Sequence, residues 1–248
     1  MKRFVPAILA LALMVPGAAQ AAGDAATPGQ RSWSWDGLFG TYDRAQLQKG
    51  LEIHMMQCMN CHSLKYVHFR DLVQLGYSED EIKALASQYD VAGEPDEWGD
   101  PTVRPAELFD PFPSPYRNEK EARALNNGAV PPDLSLMAKA RKDGSNYLAS
   151  LLSDDEYNEG NPDDGGLYPN HYFAGGKIAM APPLWPDMLG DGATLDEEAE
   201  AIAAFLTWAA EPKLEERKGM GMKVLLFLLI LTGLFYVSKR KIWANVHH

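Results

Sequence analysis

Residues 57–64, QCMNCHSL, place Cys58, Cys61 and His62 within five positions, and the 248-residue chain has no other cysteine. Several chemistries use thiols this close together. A redox dithiol of the thioredoxin kind sits between a strand and a helix in a βαβ unit. Here the preceding residues, YDRAQLQKGLEIHMMQ, have helical spacing, and β-branched runs are scarce throughout. A structural zinc site needs four ligands, usually two pairs, and the chain offers no second cysteine pair and six histidines in all. A Cys58–Cys61 disulfide would close a loop too small to stabilise much.

The remaining reading is covalent haem attachment, for which C-x-x-C-H is the recognised pattern. Two thiols three residues apart can form thioethers to the two vinyl groups of one porphyrin. The next residue, His62, is then placed beneath the ring, where its imidazole can bind iron. The absence of further thiols leaves nothing to cross-link wrongly in an oxidising compartment.

A sixth ligand must come from far along the chain. Once the methionines of the two termini and those beside His62 are set aside, Met137, Met180 and Met188 remain, with His171 as the imidazole competitor. Met137 lies in a helix-like stretch, PPDLSLMAKA, and reads as a core methionine. Met180 lies in GGKIAMAPP, a loop entered by glycine and closed by proline, the kind of segment that can bring a side chain to a fixed metal. Met180 is favoured over His171. Methionine/histidine ligation raises the reduction potential and leaves no open position for a substrate.

The elements that must hold these groups are mostly helical. Residues 43–57 read as a first helix, with Leu47, Leu51 and Met55 on one face. Residues 78–88 read as a second, opened by a Ser78/Glu81 capping box. Residues 95–115 contain six prolines and are expected to be loop or extended chain. Helix is expected again over 119–126 and after Pro132. A last helix of the head opens with a Thr194/Glu197 capping box and turns Ile202, Phe205, Leu206 and Ala209 inward. It is expected to cross the first helix where Gly50 permits close approach to Phe205 or Trp208.

Lys2 and Arg3, an apolar run over 4–15, the Pro16-Gly17 break and Ala19-Gln20-Ala21 have the layout of a secretory signal peptide. The mature chain is then expected to start near Ala22, outside the cytoplasm. At the other end, residues 224–238 are uncharged, and the run reaches twenty residues from Gly219 if Lys223 snorkels outward. Twenty helical residues cover the roughly 30 Å hydrocarbon core. Lys239-Arg240-Lys241, with Tyr236 and Trp243 at interfacial depth, marks the far side of a span over 219–238, its basic end in the cytoplasm. Between the two ends, residues 22–212 carry fourteen basic against thirty-two acidic side chains, a net charge of −18. The acid clusters over 94–100 and 154–164, read here as solvated loops. Such a field repels nucleic acid and anionic lipid, which excludes nucleic acid as a partner, and speeds encounter with a basic protein.

CHSLKYVHFRDL, NNGAVPPDLSLMAKAR, AMAPPLW and FLTWAAEPKLEERKGMGMKVLL, met in that order after WSW at Trp33, resemble the cytochrome c1 family. Its members are the haem-bearing subunits of ubiquinol–cytochrome c oxidoreductase, the cytochrome bc1 complex. The resemblance implies a mainly α fold, a cytochrome c-type haem domain with long loops followed by one C-terminal transmembrane helix. The chain would divide into a signal peptide (1–21), a periplasmic haem domain (22–212) and a membrane anchor with a short cytoplasmic tail (213–248), in a bacterial inner membrane. The resemblance assigns one haem c, with Cys58 and Cys61 as thioether positions, His62 as proximal and Met180 as distal iron ligand. It places Asn126, Pro131 and Pro132 along the haem, and Arg141 and Tyr147 near a propionate. Some bacterial members carry an extra cysteine pair, which this chain lacks. The implied function is a single-electron relay, from a Rieske iron–sulfur protein to a soluble basic c-type cytochrome, in a complex that also holds cytochrome b. The chain needs no substrate chemistry of its own for this; the enzyme is the complex. Two rival readings are a free-standing membrane-anchored electron shuttle and, further off, a haem peroxidase.

Overall fold

The computed structural model describes residues 25–245; segment 1–21, expected to be a signal peptide, lies outside them. Among the described residues there are eight α-helices and two small antiparallel ribbons. α1 (Arg44–Met56) is capped by Asp43, whose carboxylate accepts from the Ala45 and Gln46 N–H groups. α2 (Glu79–Ala86) opens on the expected Ser78/Glu81 box. β1 (Asp90–Ala92) pairs with β2 (Val103–Pro105) inside the proline-rich stretch, Val91 opposite Arg104. α3 (Glu119–Leu125), α4 (Met137–Ala140), α5 (Gly144–Leu152) and α6 (Asp155–Glu159) follow. β3 (Tyr168–Pro169) then pairs with β4 (Lys177–Ile178). α7 (Leu195–Ala210) carries the Thr194/Glu197 box, and α8 (Leu214–Ile242) closes the described chain.

α7 is the centre of the head, with α1, α4 and α5 packed on it. Small residues make this possible. Ala199, Ala201, Ala203 and Ala204 are all buried, so the neighbouring helices reach the α7 backbone. The α1–α7 crossing lies where expected: the Gly50 position faces the Ala201 carbonyl and the Phe205 side chain. Phe205 in turn leans on Trp208, ring centroids 5.7 Å apart.

Two expectations change. The helix after Pro132 begins only at Met137, because Asp133 to Ser135 are held by the chain around His62. The second acidic run is not all solvated loop. Asp154 is buried and caps α6, its carboxylate accepting from the Tyr157 N–H, and Tyr157 is fully buried in the core.

α1 also carries an imidazole into the core. His54 is fully buried, its ring 5.4 Å from that of Phe205 and 6.2 Å from that of Phe112, with neither nitrogen hydrogen-bonded. Burial, with the nearby His62 acting in the same direction, pushes its pKa from 6.5 down to about 3. The unfolded chain therefore takes up this proton first as the solution is acidified. The stability held by neutral His54 is complete above pH 6.5 and drains as pH falls towards 3, by up to about 1.4 kcal/mol per pH unit. His54→Leu is expected to flatten the acid limb of the stability curve across that window. Unfolding followed by circular dichroism at stepped pH checks this; an unaltered limb refutes it.

The root of α8 is bound tightly to the head. Leu214 is buried, and Arg44 makes a forked pair with Glu215 at 2.9 and 2.7 Å. The Tyr42 hydroxyl donates to the Glu211 carbonyl at 3.1 Å. Beyond that root, α8 is long and apolar enough to cross a membrane, and its apolar window is not covered by any other part of the described chain.

Candidate functional site

α1 ends at Met56 and runs into a single 3-10 turn, Cys58–Asn60. The Cys58 carbonyl accepts from the N–H groups of both Cys61 (3.2 Å) and His62 (2.8 Å), so the turn fixes all three residues on one short arc. Both cysteines are free thiols, Cys58 half-buried and Cys61 exposed. The Cys58 sulfur faces inward, and its burial pushes the thiol up to about 12.

His62 is oriented from seventy residues away. Its Nδ1 lies 2.7 Å from the Pro132 carbonyl oxygen. A carbonyl can only accept, so Nδ1 carries the proton and the Nε2 lone pair is left for a metal. Burial holds the imidazole below its usual pKa, against the opposing pull of Pro132 and Asp133, which keeps that lone pair free of a proton.

The segment that supplies the Pro132 carbonyl is laced to the loop after His62. The Leu134 N–H donates to the Ser63 carbonyl at 2.9 Å. The Asp133 carboxylate accepts from the Ser63 hydroxyl (2.7 Å) and the Lys65 N–H (3.0 Å), and the Tyr66 N–H donates to the Ser135 hydroxyl at 3.0 Å. Burial alone would raise the Asp133 pKa; the hydrogen bonds from Ser135, Lys65 and Ser63 outweigh it and hold the group ionised. The Pro132 carbonyl thus meets the residue that follows the cysteine turn. Asn126, at the C-cap of α3, reaches the turn through Tyr116, whose hydroxyl lies 3.3 Å from the Asn126 Oδ1 and within reach of Cys61.

Met180 follows β4, half-buried and packed on the core. Its carbonyl accepts from the Tyr157 hydroxyl at 3.0 Å, so α6 holds the loop by its backbone and leaves the thioether unengaged by that bond. His171 is committed elsewhere. Its Nδ1 is 3.1 Å from Asp154 and its Nε2 3.0 Å from Glu156. Asp154, and then Glu156, hold its pKa above the usual value, and the two carboxylates occupy both ring nitrogens in competition with a metal. Met188 is buried in the core and Met137 opens α4, packed against it. Arg141, just past α4, is exposed and donates to the Ala140 carbonyl at 3.2 Å. Tyr147 is half-buried in α5.

Three residues of this neighbourhood escaped the sequence reading: Tyr116, Asp133 and Tyr157. Asp133 stands inside a motif that was quoted, and Tyr116 is an aromatic among prolines. Tyr157 is the one apolar-faced side chain in an acidic run. Each signal exists, yet none says which distant group the residue meets.

A mainly helical head whose two thiols precede a metal-ready imidazole, with a thioether held in a separate proline-closed loop, has the donor set that suits a c-type haem. That is the class of protein these features define. Residues 33–246 match the Cytochrome C1 family, and the chain belongs to it. It is 42% identical to cytochrome c1 of Rhodospirillum rubrum, over 96% of this chain and 95% of that protein. Identity to the cytochrome b-c1 complex catalytic subunit of Candida albicans is 39%, over 88% of this chain and 78% of that one. A Bradyrhizobium diazoefficiens protein named cytochrome b/c1 is 38% identical over 89% of this chain, which spans 36% of its length.

Proposed function

We propose that this chain is the electron-transfer subunit of a respiratory cytochrome bc1 complex, carrying one covalently bound haem c. Cys58 and Cys61 would form the thioethers, His62 and Met180 would hold the iron, and Asn126, Pro131, Pro132, Arg141 and Tyr147 would line the group. The haem supplies a one-electron iron couple. The observation that carries this reading is the Pro132–His62 hydrogen bond, which readies one imidazole nitrogen immediately behind the two cysteines.

The chain's own residues do three things. His62 and Met180 saturate the metal, so the site works as a relay and not as a peroxidase. The 63–66 and 132–135 lacing keeps the imidazole from turning, which lowers the reorganisation that accompanies each electron. The acidic head, −18 over residues 22–212, attracts a basic partner. In the assembly the chain takes single electrons from a Rieske iron–sulfur protein and passes them to a soluble, basic c-type cytochrome. Cytochrome b is the membrane partner, a reading supported by a relative that bears both names.

The division of the chain is a signal peptide over 1–21, a periplasmic head over 22–212 and an anchor over 213–248, with the C-terminus in the cytoplasm of a bacterial cell. This orientation rests mainly on the signal peptide, because Arg217, Lys218 and Lys223 on the head side offset much of the charge of Lys239, Arg240 and Lys241.

The test is purification through this chain, followed by cytochrome reduction at rising ionic strength. Cytochrome b and a Rieske protein are expected to accompany it; their absence would leave the free-standing shuttle. Acceptor reduction is expected to slow by roughly tenfold or more as the Debye length shrinks from about 30 Å to about 8 Å. A flat profile removes the electrostatic docking.

A further inference from the structure

The loop between the stacked Trp33–Trp35 pair and α1 displays two large apolar side chains that the head leaves bare: Leu38 is 67% and Phe39 80% exposed. This loop is built, not slack. The Asp36 carboxylate accepts from the Trp33 N–H at 2.9 Å, and the Thr41 N–H donates to the Ser34 carbonyl at 3.1 Å. Gly37 has φ +69°, and a Cβ on Gly40 would meet the Asp36 carbonyl oxygen at 2.1 Å, so glycine alone fits both places. A tight loop that points a leucine and a phenylalanine outward gains nothing for the core.

Its position says what meets it. The Lys218 ammonium, from α8, donates to the carbonyls of Trp35, Gly37 and Gly40, the last two at 2.7 and 3.3 Å. Lys218 immediately precedes the span over 219–238, so the loop stands within one side chain's length of its outer edge. The headgroup layer there is roughly 5–8 Å thick, and leucine and aromatic side chains partition into that layer. Lys213, at the N-cap of α8, and Lys223, five residues past Lys218, are both exposed, and long cationic side chains on either side of this boundary suit lipid phosphates.

We propose that Leu38 and Phe39 form a second membrane contact, a rigid foot seated among phospholipid headgroups and upper acyl chains beside α8, which sets the tilt of the head over the bilayer. This rests on the reading of α8 as a spanning helix. With the foot beside the fixed root of α8, the head has two supports in place of one.

The experiment replaces Phe39 with the photoreactive analogue p-benzoylphenylalanine in the full chain, irradiates the protein in its own membranes and identifies the adducts by mass spectrometry. The same replacement is made at Leu229, midway along α8, and at Trp98, which is 82% exposed on the head. Phospholipid adducts at position 39 are expected to exceed those at position 98 by about tenfold. Adducts to another protein at position 39, or none above the level of position 98, overturn the foot. Position 229 separates the two readings. If it captures lipid or a membrane protein while position 39 does not, the foot alone fails; if it captures neither, the span fails with it.

Discussion

Met180→Leu is expected to lower the midpoint potential of the haem protein by a few tenths of a volt, within the roughly 0.8 V range that axial ligands command, and to abolish the sulfur-to-iron charge-transfer band of the oxidised form. Haem content is expected to stay unchanged, since the thioether bonds involve Cys58 and Cys61. Leucine is close to methionine in volume and is tolerated in most cores. The Tyr157 hydroxyl meets the Met180 carbonyl, not its side chain, so the loop keeps its support in the variant. What disappears is the sulfur, and with it the ligand proposed to favour reduced iron. His171→Gln is the matched control and should alter neither the band nor the potential appreciably, because both its ring nitrogens face carboxylates. Redox titration with visible spectroscopy distinguishes the outcomes. A band that survives in Met180→Leu would move the sixth ligand to another methionine, and a wild type without the band would move it to a nitrogen donor.

The second large effect is structural. Gly50→Ala places a Cβ 2.1 Å from the Ala201 carbonyl oxygen, 2.8 Å from its carbon and 2.6 Å from the Phe205 Cβ. Two of these atoms are backbone and the third is anchored to it, so no rotamer change relieves the clash and α1 must lift from α7. Overpacking of this kind costs about 3 kcal/mol, offset by the roughly 1 kcal/mol that alanine gains over glycine within a helix. The net loss of about 2 kcal/mol corresponds to a melting midpoint lower by roughly 4–8 °C. Gly219→Ala, where the added carbon meets nothing within 4 Å, is expected to leave the midpoint unchanged or slightly raised. Equal behaviour of the two variants would show that the crossing tolerates separation.

These predictions draw on different depths of the molecule. Ser78 and Thr194 were legible as helix starts because a capping box closes over three residues. The cysteine turn was legible for the same reason: its chemistry lies within one stretch of backbone. Gly50 could be matched to the last head helix because a glycine on an otherwise apolar face announces a close approach, and α7 is full of small residues. Met180 is favoured by its glycine-entered, proline-closed loop, and the resemblance from Trp33 to the tail implies the same residue.

Other assignments had no local trace. The commitment of His171 to Asp154 and Glu156 depends on α6, which was read as part of a solvated acidic loop. The hold of Tyr157 on Met180, of Pro132 on His62 and of Lys218 on the loop at Gly37 joins groups 23, 70 and 181 residues apart. Residue types, helix caps and covalent spacing act over a turn or two of chain, so they can be read before folding. Which donor meets which carbonyl across the head depends on how the long loops are laid over α7, and that is set by packing summed over the whole core. The local code thus specified the reactive groups, while their orientation, their ionisation and the seating of the head against α8 arose only when distant segments were brought into contact.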